Sequence, residues 1–169
     1  ASTWRNFRPR AFTLASISGI AEGLAEAGAN IVGVGPIAMP EIEARVKALG
    51  RKFLHVEADL TSQARIPDIV AETVSAMGGV DILVNNAGIM RWAGMPDVDA
   101  DNLAAHFAVH VGGAFNTTRA AWPHMTAQGW GRIVNVSGLA ARNAGSARAA
   151  AASSAPTATS APWSGPSAV

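Results

Sequence analysis

Short apolar runs along this chain alternate with stretches whose apolar residues recur every three or four positions. The first kind reads as buried strand and the second as amphipathic helix. Residues 11–15 read as a first strand, and residues 19–27 as a helix ended by Gly28. Residues 30–34 (NIVGV) form a second strand. Pro40 then opens a helix that runs to Leu49 and stops at Gly50, with proline first and glycine just past the end. A third strand covers residues 52–56, and a third helix runs over 66–77, closed by Gly78 and Gly79. Residues 80–85 (VDILVN) are a fourth strand, 97–125 a mostly helical stretch loosened at Gly112 and Gly113, and 132–136 (RIVNV) a fifth strand. Strands that alternate with helices imply a parallel sheet with right-handed crossovers and helices on both faces.

Beyond Leu139 the pattern stops. Residues 140–169 contain twelve Ala and six Ser but no Leu, Ile, Met, Phe or acidic residue, and Pro156, Pro162 and Pro166 interrupt them. So little apolar surface cannot offset the entropy of ordering a chain. The expected organisation is therefore an α/β domain over residues 1–139 and a weakly structured Ala/Ser/Pro-rich tail over 140–169. The fifth strand is then an open sheet edge, which invites pairing with another chain, so a homo-oligomer is expected.

Composition narrows the classes. Hydrophobic residues make up 49% of the 169 and charged residues 15%, the balance of a globular domain. Thirteen basic and twelve acidic residues leave a net charge of +1 with no basic patch, so neither nucleic acid nor a membrane surface is an expected partner. The absence of cysteine excludes disulfides, thiolate metal sites and cysteine nucleophiles from this chain. Residues 1–10 carry three arginines but no apolar core of a secretory signal, and a cytoplasmic location is expected.

Four separated motifs carry chemistry. The turn Leu14-Ala-Ser-Ile-Ser-Gly-Ile-Ala21 joins the first strand to its helix, Ala58-Asp59-Leu60 ends the third strand, Asn85-Asn86-Ala87-Gly88 ends the fourth, and Gly131-Arg-Ile-Val-Asn-Val-Ser137 covers the fifth. In this order and spacing they resemble the short-chain dehydrogenase/reductase family across roughly residues 11–138, whose phosphate turn reads Thr-Gly-x-x-x-Gly-Ile-Gly. The stretches AEAGANIVGV, ALGRKFLHVEADL and VDILVNNAGIMR look most like sugar-acid members such as 2-dehydro-3-deoxygluconate 5-dehydrogenases; RAAWPHMTAQGWGRIVNV looks equally like 3-hydroxybutyrate dehydrogenases.

The resemblance implies a Rossmann-type, doubly wound α/β fold of about five parallel strands in the order 3-2-1-4-5, shortened at its C-terminus, with NAD or NADP as a weakly held cofactor. Ser16, Ser18, Gly19 and Ile20 would then face the pyrophosphate through backbone N–H groups and a helix N-terminus. Only Gly19 keeps the family's glycine; Ala15 and Ala21 stand at the other two positions, where a Cβ narrows the approach to phosphate and crowds the helix against its strand. Asp59 would bond the adenine amino group with Leu60 beside it, and Asn86, Ala87 and Gly88 would lie against the adenosine ribose, while Asn85 braces neighbouring strands. Gly35 stands where NAD-preferring relatives carry an acid, which leaves the choice between NAD and NADP open.

Relatives reduce carbonyls with an Asn–Ser–Tyr–Lys tetrad in which the phenol gives the proton and the ammonium lowers its pKa. Aligned on RIVNV, the serine position falls at Gly138, with Ser137 one residue early, and the tyrosine and lysine positions fall at about Ala151 and Ala155. The asparagine position falls at His110. The chain contains no tyrosine, and its only lysines are Lys47 and Lys52. The reading is an oxidoreductase acting on CH–OH groups by descent, with low or no hydride transfer, whose tail looks like a shifted reading frame or a truncated gene and whose N-terminal end suits general erosion.

Two alternatives accompany it: a non-catalytic nucleotide-binding or self-associating module, and a hydrolase in which His110 activates Ser137. The hydrolase lacks a Gly-x-Ser-x-Gly elbow and an orienting acid. His106 and His110 stand four apart, a zinc-compatible spacing, but no third ligand is nearby in sequence and no metal is expected. The pair is read as one surface residue and one that lines the cleft. Trp92, after the fourth strand, is a candidate for a small-molecule substrate cleft.

Overall fold

The computed structural model describes residues 10–14, 18–60, 62–91 and 97–137. The chain divides into two units, Ala1–Val136 and Ser137–Val169; of the second, only Ser137 is among the described residues. The first unit holds a five-stranded sheet of β1 (Arg10–Leu14), β2 (Asn30–Gly35), β3 (Phe53–Glu57), β4 (Ile82–Asn85) and β5 (Arg132–Asn135). Every pairing is parallel, in the order β3-β2-β1-β4-β5. The helices are α1 (Ser18–Glu26), α2 (Pro40–Ala48), α3 (Ile66–Met77), α4 (Ala100–Phe107) and α5 (Ala114–Ala127). A short 3₁₀ turn (Gln63–Arg65) leads into α3. A π turn (Ala108–Gly113) joins α4 to α5, over the pair of glycines at which the helical pattern loosens.

The sheet is covered on both faces, so its central strands read as continuous apolar runs rather than alternating ones. Val32 and Val34 point with Val56 and Leu83 toward Ile66, Ile69 and Val70 of α3 and Ala121 and Met125 of α5. Ile31, one step out of phase, points to the other face, where Ala21, Ala25, Ala29 and Val46 close a core of small residues beneath α1 and α2. Ala21 is only 2% exposed, so its methyl is absorbed in that alanine-lined contact. Gly33 shares this second face, and a Cβ there would come 3.2 Å from the Phe53 ring and 3.1 Å from Met39 Sδ. The glycine is what lets both side chains lie across β2.

Several ends fall where the punctuation puts them. α3 opens with a proline in its first turn and closes on Gly78, whose φ of 83° is the left-handed conformation that glycine adopts without strain. β1 begins at Arg10, one residue earlier than the apolar pattern, because the Arg10 backbone N–H donates to the Asp81 carboxylate at 2.7 Å. The guanidinium grips the same carboxylate through Nε and Nη2, and donates from Nη1 to Gly78 O at 2.6 Å. Hydrogen bonding to Asp81 raises the Arg10 pKa further above its ordinary value. Asp81 is 2% exposed and Arg10 half-buried, and the pair ties the start of β1 to the start of β4.

Candidate functional site

In a parallel sheet every strand ends at the same edge, and the crevice opens where the strand order turns round. Here that point lies between β1 and β4. The segment 15–17, and Ser16 with it, lies outside the described residues. Ser18 is the first residue of α1, followed by Gly19 and Ile20. Gly19 is exposed, and a Cβ built on it would meet none of the described residues within 4 Å. Ile20 is half-buried. β2 ends at the buried Gly35, whose carbonyl accepts from the Ala58 N–H at 3.2 Å and lies 3.1 Å from His55 Nε2. A Cβ at Gly35 would come 3.1 Å from Met39 Cε. Asp59 is exposed beyond β3, its carbonyl accepting from Ser62 N–H at 3.0 Å, while Leu60 is buried in the core.

Asn85 braces the sheet as its position implies. Its Nδ2 donates to Asn135 Oδ1 at 2.9 Å and to Thr118 Oγ at 3.3 Å, and its Oδ1 lies 2.7 Å from the buried Thr117 hydroxyl. The amide thus ties β4 to β5 and to α5. Beyond it, Asn86 and Ala87 are half-buried and Gly88 is exposed.

The two histidines differ from expectation. Their rings lie nearly parallel, 9° apart in plane with centroids 5.8 Å apart, and both reach the loop Asn86–Arg91. His110 Nε2 is 2.9 Å from Ile89 O and 3.3 Å from Ile89 N; His106 Nε2 is 3.3 Å from Arg91 N. Sequence reasoning separated them because their shared target is a loop that folds back onto the helix. The i, i+4 spacing was the one signal that placed them side by side. Among the described residues no group of three His, Cys, Asp or Glu is placed to hold a metal ion. Ser137 is exposed and begins the second unit. Trp92 lies outside the described residues.

A cleft of about 550 Å³, lined by Trp122, Met125, Trp130 and Arg132 among others, lies at the start of β5, the opposite end of the sheet from this crevice. The Arg132 guanidinium stands over the Trp130 ring at 5.1 Å. Among the described residues no helix is long and apolar enough to cross a membrane.

The exposed Gly19 at the start of α1, the exposed Asp59 after β3 and the half-buried Asn86 after β4 fit a dinucleotide laid across the strand ends. A sequence model described as short chain dehydrogenase matches residues 18–158. D-beta-hydroxybutyrate dehydrogenase of Cupriavidus necator is 40% identical over 121 residues, covering 70% of this chain and 47% of that protein. The 2-dehydro-3-deoxy-D-gluconate 5-dehydrogenase of Escherichia coli is 36% identical over 122 residues, covering 72% and 48%. Among solved structures, an NAD+-bound xylitol dehydrogenase matches with a TM-score of 0.72 at 28% identity, over 82% of this chain and 56% of that one. The chain spans about half the length of the curated relatives it matches.

Proposed function

The chain belongs to the short-chain dehydrogenase family, and on that premise we propose that it binds a nicotinamide dinucleotide across the strand ends with little or no hydride transfer of its own. The observation that carries this is the loop Asn86–Arg91, fixed at the turning point of the strand order by Asn85 on one side and two histidines on the other. In this reading Ser16, Ser18, Gly19 and Ile20 face the pyrophosphate, which the positive end of α1 favours. Asp59 with Leu60 takes the adenine side, and Asn86, Ala87 and Gly88 lie against the ribose. Gly35 offers no carboxylate to the ribose hydroxyls, so NAD and NADP remain equal candidates.

The bound nicotinamide would supply a hydride acceptor, but oxidising an alcohol also needs a side chain to take the hydroxyl proton. The sequence has no tyrosine. Lys47 is paired with Glu43 at 2.6 Å near the end of α2, and Lys52 donates its backbone N–H to Asn30 Oδ1 at the start of β2. Both lysines therefore stand at the sheet edge opposite the crevice. The residual substrate class, if turnover exists, is the hydroxy acids and sugar acids of the relatives, and a cytoplasmic location belongs to the same proposal.

The test is a calorimetric titration of the purified chain with NAD+ and NADP+, followed by an alcohol-oxidation assay with 3-hydroxybutyrate and sugar acids. Saturable binding with no turnover above the uncatalysed rate is expected. Oxidation at an ordinary enzymatic rate overturns the proposal, and so does the absence of binding to either dinucleotide.

Self-association is the further part of the reading. Leu103, Phe107, Val111 and Phe115 are spaced four apart, and each is more than half exposed. Phe107 and Phe115 are equidistant from Val111, so an antiparallel second copy would set each Phe107 against the other copy's Phe115. Asp97, Asp99 and Asp101 at one end would then approach Arg119 at the other, which gives the pairing charge complementarity.

A further inference from the structure

The geometry points to His106 and His110 as positioning residues that hold the loop Asn86–Arg91 in its nucleotide-binding shape, through a hold that protonation of His106 releases. This rests on the dinucleotide reading above. His106 Nδ1 lies 2.8 Å from the Asn102 carbonyl, which has no proton to offer, so Nδ1 is the donor there. A neutral ring then leaves Nε2 bare, and it accepts the Arg91 backbone N–H at 3.3 Å. His110 Nε2 stands closer to the Ile89 carbonyl, at 2.9 Å, than to the Ile89 nitrogen, at 3.3 Å, so it donates to the carbonyl. The ring of His110 also lies over Gly88, where an added Cβ would be 2.7 Å from Cε1. The ribose-side segment Asn86-Ala87-Gly88 is thus suspended between Asn85, fixed to β5 and α5, and the two histidine contacts that follow it.

The two contacts answer differently to acid. Protonation puts a hydrogen on His106 Nε2 and turns it toward the Arg91 N–H, donor against donor, so that bond is lost. His110 keeps its donor on Nε2 and its bond to Ile89 O survives. Histidine is the side chain whose charge changes between about pH 5 and 8. Arg91 itself is the cation of the loop, and Asp97, Asp99 and Asp101 are the acids at the start of α4. Asp99 Oδ1 is engaged as a cap by the Asn102 N–H at 2.7 Å. From the 3₁₀ turn beside the π turn, Gln63 donates to Ala108 O at 3.3 Å.

The experiment follows the backbone amides of Ile89 and Arg91 by NMR in the whole chain as the solution is taken from about pH 8 to about pH 5, with NAD+ calorimetry at both ends of that range. The same series is run on His106→Gln, whose amide oxygen can accept a hydrogen bond but does not titrate. In the wild type the Arg91 amide should titrate, and NAD+ affinity should fall about fivefold on acidification. In His106→Gln the Arg91 titration should vanish and the affinity change should shrink below about twofold. An Arg91 amide that does not titrate in the wild type, or that titrates unchanged in His106→Gln, overturns the latch. NAD+ binding that is strong but indifferent to pH overturns the positioning role. A titrating Arg91 in a chain that binds no NAD+ at any pH leaves the latch standing and refutes the dinucleotide reading instead.

Discussion

Arg10 joins three stretches of chain that lie far apart in sequence: its own strand, the segment that holds Gly78 and Asp81, and Gln128, whose Oε1 accepts from the same guanidinium at 3.0 Å. An exposed ion pair contributes at most about 1 kcal/mol, but a carboxylate that is almost wholly buried changes the account, because removing its partner strands a charge away from water. Arg10→Met should therefore destabilise the fold by about 3 kcal/mol in urea unfolding. A loss below about 1 kcal/mol would mean that water reaches Asp81 and replaces the guanidinium. The upward shift on a base fixes the sign of the pH effect: the pair's contribution is intact below the unfolded arginine value and disappears only as pH rises past the higher folded one, so near neutrality it is constant. Some residues disclosed these roles in the sequence and others did not. Asn85 was legible as a brace because it ends an apolar strand, where a side-chain amide has strand and helix neighbours to bond. Arg10 was not, since its partner stands 71 positions away. The pairing of His106 with Arg91 was hidden for the same reason.

At the level of elements, sequence punctuation gave α3 from Ile66 to Met77 because proline and glycine fix backbone angles locally, without help from tertiary contacts. The long helical stretch was legible only in part. Two glycines announced a loosening, but the choice of i→i+5 bonds over Ala108–Gly113 depends on what packs around the turn, which the sequence does not state. The loop after β4 takes its path from such packing. Gly88→Ala places a methyl 2.7 Å from His110 Cε1, against a ring that is stacked and bonded, so one of the two must move. The substitution should cost about 1–2 kcal/mol in thermal or urea unfolding, and His110→Ala in the same chain should recover most of it. If the double variant is no more stable than Gly88→Ala alone, the contact is not what Gly88 protects.

For the whole molecule, the alternation of strands and helices and the handedness of crossovers implied a parallel sheet covered on both faces, and the resemblance to the family supplied its strand order. Which surface is left to a second copy was not legible that way. The sequence pointed to the β5 edge, whereas the structure also exposes the row Leu103, Phe107, Val111 and Phe115 on the helices. Phe115→Asp should convert the associated protein to monomer in sedimentation velocity while leaving the far-ultraviolet dichroism unchanged, since the side chain is 63% exposed. A wild-type chain that sediments as a monomer throughout the micromolar range would end that proposal.

The π turn has a geometric consequence for this row. Four residues overshoot one revolution of an α-helix by about 40°, so side chains placed every fourth position ordinarily wind around the rod as a slow spiral. A wider turn takes up more residues per revolution and unwinds part of that drift midway along the row, keeping the four side chains near one meridian. Deleting a single residue between Ala108 and Gly113 would remove the extra residue that the wide turn absorbs, restore the ordinary pitch and leave α5 close to its present rotation about the axis, with one step of the ridge shortened from four residues to three.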